Sequence, residues 1–374
     1  IIYLDGPGGT QVPIQVIEAI SQYYIRSNAN THGEFITSKE TDCIMEELRY
    51  KMSEFLGSDN PSTISIGQNM TSLNYSLARA LSRKFNSGDE VVITELDHEA
   101  NRGPWMVLEK AGVKLVEVKL LQNGGLDYED FKSKINEKTV MVCMGMSSNA
   151  LGTLNDFHSV RSFLPNNCLF LLDAVHYAPH FAINVSELGC DFLLCSAYKF
   201  YGPHVSFLYS RPGLLESLDT DRLVVQDQSE PFIIETGTLN HAACAGVSAA
   251  IEFIASLGEG DSLRSKLVDA YSKISVHEFA LAKTLHDSLC ALDKVNVIGQ
   301  DFSNTKRTPT VSFVHSDYTP NEICKKLASS NICAWDGHFY AFKAIQQLGL
   351  EKKGGVTRLG ISIYNTKEEV ERVV

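Results

Sequence analysis

The chain has 374 residues, 44% hydrophobic and 21% charged, the balance of a soluble globular protein with a substantial core and length enough for two domains. A net charge of -12 offers no basic face to nucleic acid or anionic lipid, so any anionic ligand must be held by a local device. The nine cysteines (43, 143, 168, 190, 195, 244, 290, 324 and 333) show neither a C-x-x-C pair nor metal-ligand spacing, which points to no metal and to reduced thiols in the cytoplasm. No apolar run nears the roughly 18 residues that a membrane span needs.

The chain opens Ile1-Ile2-Tyr3-Leu4-Asp5, without Met and unlike a signal peptide, and closes at Val373-Val374 inside a helix-like run; trimmed termini are expected. Between 53 and 209 short apolar runs alternate with helical periodicity. The runs at 90–95, 113–118, 139–144, 168–172, 191–195 and 205–209 read as strands, most of them apolar on both faces. Helices are expected between them, at 71–85 and 100–111 among others. This alternation predicts an α/β layer with a mostly parallel sheet. Past 238 the character changes: helices at 241–257 and 263–289, a strand at 310–314, helices at 321–329 and 339–348, a strand at 356–361 and a closing helix. We expect a large domain over 15–260 and a smaller α+β domain over 261–374, grouped with 1–14, although sequence alone lets the N-terminal segment pack with either part.

Chemistry concentrates at the ends of the predicted strands. Gly67-Gln68-Asn69-Met70-Thr71-Ser72 opens an apolar helix, and backbone amides at a helix N-terminus hold phosphate without basic residues; capping by Asn69, Thr71 or Ser72 explains the same letters equally well. Asp97-His98-Glu99-Ala100-Asn101 follows the strand ending at Glu95, where an imidazole can stack on a flat cofactor and shuttle protons. Asp173 ends the apolar run 168–172, and a carboxylate there is costly unless it meets a cation such as a protonated pyridine nitrogen. Lys199, in Cys195-Ser196-Ala197-Tyr198-Lys199-Phe200-Tyr201-Gly202-Pro203, stands where open α/β sheets place ligands, and partial burial makes it a usable amine nucleophile. A solitary lysine after a strand is an ordinary loop residue. The pair of Asp173 and Lys199 on successive strand ends is what carries weight. Ser196 and Tyr198 can add hydroxyls to the same phosphate.

These residues, taken together, resemble the class V aminotransferases, fold-type-I pyridoxal-phosphate (PLP) enzymes, and within them the cysteine desulfurase-like branch. The resemblance spans nearly the whole chain. It is carried by Tyr3-Leu4-Asp5, by Glu95 to Asn101 with Pro104-Trp105, and by Ser148-Asn149-Ala150-Leu151-Gly152-Thr153. It continues through Asp173-Ala174-Val175-His176, Ser196 to Pro203, Glu235-Thr236-Gly237-Thr238, Gly337-His338, and Arg358 with Tyr364-Asn365-Thr366. The resemblance implies a homodimer with shared active sites. It implies Lys199 as the Schiff-base lysine, Asp173 as partner of the pyridine nitrogen and His98 as the stacking imidazole. Asn149 is implied near the cofactor's phenolic oxygen, with His176 standing where desulfurases usually carry Gln. Ser196 falls at a phosphate position, and Tyr198 replaces a His of the same duty. Gly237 and Thr238 resemble the segment that reaches the phosphate of the neighbouring subunit's cofactor. Arg358 matches the arginine that grips a substrate α-carboxylate.

One departure limits the functional expectation. In desulfurases a mobile loop after Gly-His carries the cysteine that accepts sulfur as a persulfide. This chain reads Trp335-Asp336-Gly337-His338-Phe339-Tyr340-Ala341, with Tyr340 at or beside that place and Cys333 before the glycine. A phenol carries no persulfide. The expected activity is C–S lyase or β-elimination chemistry on an amino acid, ranked above transamination or epimerisation, with a non-catalytic PLP-binding protein as the alternative of another class. His32, Trp335 and Tyr340 are expected to read the substrate side chain.

Overall fold

A short strand β1 (Ile2–Tyr3) precedes seven strands that form one sheet: β2 (Ile64–Gly67), β3 (Glu90–Thr94), β4 (Lys114–Val118), β5 (Thr139–Gly145), β6 (Leu169–Asp173), β7 (Phe192–Ser196) and β8 (Ser206–Ser210). Their order is β2-β8-β7-β6-β5-β3-β4. The pairs β3–β4, β3–β5, β5–β6 and β6–β7 are parallel, and β8 alone runs against both its neighbours. The expected mostly parallel α/β sheet is present. These coordinates of the chain are a computed structural model, which describes residues 1–303 and 306–374.

The continuous apolar runs are explained by what covers them. Val92, Val142, Phe170, Leu172, Leu193 and Cys195 enter one core with the helices Ile36–Leu56 and His241–Ala255. The alternate residues Val91, Ile93, Met141, Cys143, Leu171 and Leu194 enter a second core with the helix Met70–Ser82. Period-two alternation with both faces buried is the signature of a covered parallel sheet. The same alternation sends Cys195 into the core, away from Ser196.

The C-terminal region builds β9 (Val295–Ile298), β10 (Thr310–His315), β11 (Ile332–Cys333), β12 (Trp335–Gly337) and β13 (Val356–Gly360). Four of these form an antiparallel sheet in the order β12-β13-β10-β9, and β1 pairs in parallel with β11. The long helices lie at His241–Ala255 and Leu263–Cys290, close to expectation. The N-terminal segment does two things at once. Ile2 and Leu4 pack in the core of the antiparallel sheet, while Ile14–Arg26 lies along His241–Ala255.

Two expected helices differ. Residues 100–111 form two 3-10 segments, Glu99–Asn101 and Gly103–Ala111, because the Gly103-Pro104 step interrupts an α-helical start. The helix expected at 339–348 begins only at Phe342, since Phe339 and Tyr340 sit at φ of 51° and 59°, left-handed conformations that no α-helix contains.

Candidate active site

Parallel strands present their carboxyl ends along one edge of the sheet, and the segments that follow them converge there. β3 leads to Asp97 and His98, β5 to Ser147 and Asn149, β6 from Asp173 to His176, and β7 from Ser196 to Lys199. Together with Asn69, Met70 and Thr71 at the helix start, these line one inner recess. An outer cleft of about 830 Å³ shares Thr71, His98, Ala100, Asn149, Tyr198 and Lys199 with it and adds Asp5, Trp335, Tyr340 and Arg358. The recess thus gathers ten of the sequence-predicted residues.

Lys199 ends a 3-10 turn, Ala197–Lys199, fixed by its neighbours. Phe200 and Tyr201 are buried in the core, and the Gly202 amide returns to the Ala197 carbonyl at 2.8 Å. A Cβ at position 202 would stand 2.9 Å from the Ala197 methyl, so this return requires glycine. The amine donates to the Pro7 carbonyl in the N-terminal turn. Burial first, and then the Arg358 charge, push the Lys199 pKa down to about 7. A lysine in this state is a nucleophile at neutral pH.

Asp173 accepts a 2.9 Å hydrogen bond from the Val175 amide, and burial pushes its pKa up to about 6. His98 accepts from the Ala100 amide at 3.0 Å through Nδ1, which leaves the ring proton on Nε2. Burial, reinforced by the Lys199 and Arg358 charges, holds His98 down near about 4, so the imidazole is neutral. Asn69 caps the helix through a 2.8 Å bond from the Ser72 amide, and this cap leaves the first amides, of Met70 and Thr71, without a partner within the helix. Ser196 shares a 2.7 Å hydrogen bond with Ser206, and the Tyr198 ring stacks on His204 at 4.6 Å.

Above the recess lies the segment that carries Tyr340. Asn149 Nδ2 donates to the Phe339 carbonyl at 2.8 Å, and the Glu99 amide donates to the Tyr340 carbonyl at 2.7 Å. The Tyr340 ring lies 5.4 Å from His98, tilted by 31°. Arg358, buried, donates to Asp5 at 2.7 Å and to the Asn149 carbonyl at 3.1 Å, with its guanidinium 4.0 Å over the Phe339 ring. Among the described residues its Nε has no hydrogen-bond partner.

Three predicted residues lie elsewhere. His32 is on the surface, its amide bound to the Asp42 carboxylate at 3.0 Å, and lines neither volume. Gly237 and Thr238 lie outside the recess; Thr238 lines a neighbouring cavity of about 750 Å³ that also touches Gln68 and Ser72 beside the helix start. Sequence reasoning missed Asp97 as a site residue. It lines the recess, accepts from the Gly145 amide at 2.7 Å, and is pushed up to about 7 by burial and secondarily by Asp173. The signal was weak: Thr94 and Glu95, not Asp97, follow the apolar run 91–93, and only the neighbouring His98 marked the segment.

The donor set suits a flat, phosphorylated aldehyde with a ring nitrogen: a half-neutral amine, a carboxylate without an ion pair among the described residues, and helix-start amides. His176 Nδ1, buried and without a hydrogen-bond partner among the described residues, calls for a polar atom on such a molecule.

The family model "Aminotransferase class-V" matches residues 2–373. A probable cysteine desulfurase of Halalkalibacterium halodurans is 30% identical, across 99% of this chain and 91% of the relative. An aminotransferase-like protein of Gibberella zeae is also 30% identical, across 100% and 93%. Among solved structures, the apo cysteine desulfurase of Thermococcus onnurineus superposes with a TM-score of 0.89 at 27% identity, covering 100% of this chain and 92% of that one.

Proposed function

The chain belongs to the class-V aminotransferase family, and on that premise we propose that it cleaves a C–S or comparable Cβ bond of an amino acid by elimination, without a persulfide cysteine. It is a PLP-dependent enzyme, a lyase or transferase, of the cysteine desulfurase-like branch. When bound, PLP draws electrons from the substrate Cα. In this reading Lys199 holds the cofactor and moves the Cα proton at its Nζ, His98 stacks against the ring, and Asp173 faces the pyridine nitrogen. The helix-start amides of Met70 and Thr71, with Asn69, Ser196 and Tyr198, receive the phosphate. Arg358 receives the substrate carboxylate, exchanging its bond to Asp5 or using its unpartnered Nε. Asn149 keeps one amide hydrogen on Phe339 and turns the other to the phenolic oxygen beside His176.

The single observation that carries elimination over sulfur transfer is the lining of the cleft: none of the nine cysteines borders it, and Tyr340 does. Cys333 is half-buried on β11 beside a different cavity, and burial drives the Cys195 thiol far above its ordinary range. Cys333→Ala and Cys195→Ala are therefore expected to leave turnover unchanged, while Tyr340→Phe slows it about tenfold or more without releasing PLP. A panel of sulfur-containing amino acids, with pyruvate, alanine, sulfide and racemised product measured together, tests the reaction class. Pyruvate is expected; a persulfide trapped on any cysteine during cysteine turnover restores the plain desulfurase. Transamination is the second reading, favoured by the aminotransferase-like relative.

We further read 15–260 as the cofactor domain and 261–374 with 1–14 as the smaller one. The protein acts as a homodimer with shared active sites. Support comes from Leu223, Val224 and Val225, 62%, 97% and 91% exposed, which a partner would cover, and from Thr238, whose cavity borders the phosphate end without reaching Lys199. His32 and Thr238 then serve the partner's site. Inactive Lys199 and Thr238 variants, once mixed, should regain part of the activity through hybrid sites; light scattering that finds a fully active monomer overturns the reading. A cytoplasmic setting fits nine unpaired thiols, and among the described residues no helix is long and apolar enough to cross a membrane.

A further inference from the structure

His176 occupies a place where its chemistry depends on which ring nitrogen carries the proton. Its Nε2 lies between two threonine hydroxyls, Thr310 Oγ1 at 3.1 Å and Thr308 Oγ1 at 3.2 Å. Its Nδ1 is buried and has no partner among the described residues, and the residue lines the recess beside Lys199. Burial first, then the neighbouring His180, Lys199 and Arg358, hold the ring well below the ordinary imidazole pKa, so it has one N–H and one lone pair.

The two hydroxyls are not equivalent. Thr308 has a carbonyl to donate to, Gly152 O at 3.2 Å, and its own amide binds the same carbonyl at 3.0 Å. Thr310, fully buried on β10, has His176 as the partner of its hydroxyl. Were the proton on Nε2, the Thr310 hydroxyl hydrogen would face that N–H and be left without an acceptor in a dry place, a costly arrangement. With the proton on Nδ1, Thr310 donates to the Nε2 lone pair, Thr308 donates to Gly152, and every hydrogen around Nε2 is placed. His180 does not compete. Its Nδ1 is held by Glu278 Oε2 at 2.8 Å, and it meets His176 only ring edge to ring face, centroids 5.4 Å apart.

We propose that Thr310 is a positioning residue that locks His176 in the Nδ1–H form, so that a hydrogen-bond donor faces the cofactor recess. The inference rests on the cofactor placement proposed above and deepens it. A Gln at this position has donor and acceptor on one rotatable amide; an imidazole has to be told which edge to offer, and a threonine more than a hundred residues away in sequence tells it. The ligand atom that fits is an anionic oxygen on the cofactor ring, which an Nδ1 lone pair would repel.

The test begins without cofactor. Long-range ¹H–¹⁵N correlation spectra of the apo-protein, with His176 assigned by its absence from His176→Gln, read the tautomer directly. Wild-type protein should show protonated Nδ1 and bare Nε2. Thr310→Val should move the proton to Nε2, now bound to Thr308, and Thr310→Ser should restore the wild-type pattern. In PLP titrations followed by visible absorbance, Thr310→Val should bind PLP about tenfold more weakly with a shifted absorption maximum, and Thr310→Ser should recover both. An Nε2–H wild-type ring, or a Thr310→Val ring with unchanged tautomer, overturns the proposal. The wild-type spectrum decides even where Thr310→Val fails to fold. A wild-type protein that binds no PLP would instead overturn the functional reading, and the tautomer measurement would still stand by itself.

Discussion

Lys199→Ala is expected to remove all borohydride-stable PLP from the protein and to lower turnover by at least about 10³-fold, the scale set by losing a positioned proton-transfer group together with covalent capture. The expectation follows from where the amine stands. It is buried at the end of β7, reachable from the outer cleft, and its pKa is near about 7 because burial and then Arg358 penalise the charged form. A lysine whose pKa is lowered is neutral above that value and protonated below it. Capture of PLP by apo-protein at this residue should therefore rise as pH climbs through about 7 and then level off. Exposed lysines, with pKa values near about 10.4, remain protonated across the same range. Peptide mapping after borohydride reduction measures both effects. Label remaining in the Lys199→Ala protein at wild-type stoichiometry would remove Lys199 from its role, and a flat pH profile at Lys199 would show that its amine is not set by burial.

The parts of the site that could be read in the sequence are those written by the sheet itself. An apolar run buried on both faces ends in a polar residue only where something at the strand's carboxyl end compensates it. That rule singled out Asp173, and the placement of ligands beyond strand ends singled out His98 and Lys199; neither reaches Asp97, which Thr94 and Glu95 separate from the apolar run 91–93. The helices Ile14–Arg26 and Ile36–Leu56 went unread, although Met45, Leu48, Met52 and Phe55 bury one stripe at helical spacing. Short strands such as β9 and β12 have too few residues to show a period and exist because β10 and β13 are there to pair with them. Contacts between distant segments were out of reach altogether. Nothing local in Arg358 announces its bond to Asp5, nor in His176 its two threonines, nor in Phe339 the carbonyl that Asn149 holds. The left-handed pair at Phe339 and Tyr340 was hidden for a related reason. Neither residue favours that conformation, and the segments that follow β3 and β5 hold both of their carbonyls, through Glu99 and Asn149.

Asp173 tests whether the recess works as an electron sink. Of the two buried carboxylates, Asp97 feels the charge of Asp173, which adds to the cost of its ionisation. Burial leaves Asp97 at about 7 despite the Gly145 amide and the Arg102 charge, and leaves Asp173 at about 6 with the Val175 amide and the Lys199 charge beside it. At neutral pH Asp173 is the more ionised of the two, and Asp97 shares its site with a proton about half of the time. A unit charge pair about 4 Å apart at an effective dielectric near 20 is worth about 4 kcal/mol, which at about 1.36 kcal/mol per decade is close to 10³-fold. Asp173→Asn keeps the side-chain shape and the bond from Val175 but loses the charge. We expect it to retain PLP, measured by alkaline release, while turnover falls by about 10³-fold. Asp97→Asn mimics a carboxyl that already carries a proton, keeps an acceptor for the Gly145 amide, and should cost less than about tenfold. If the two substitutions cost the same, the charge opposite the ring is not localised on Asp173. If Asp97→Asn is the more damaging, the roles of the two carboxylates are reversed, and Asp97, the residue beside His98, is the one that holds the pyridine nitrogen.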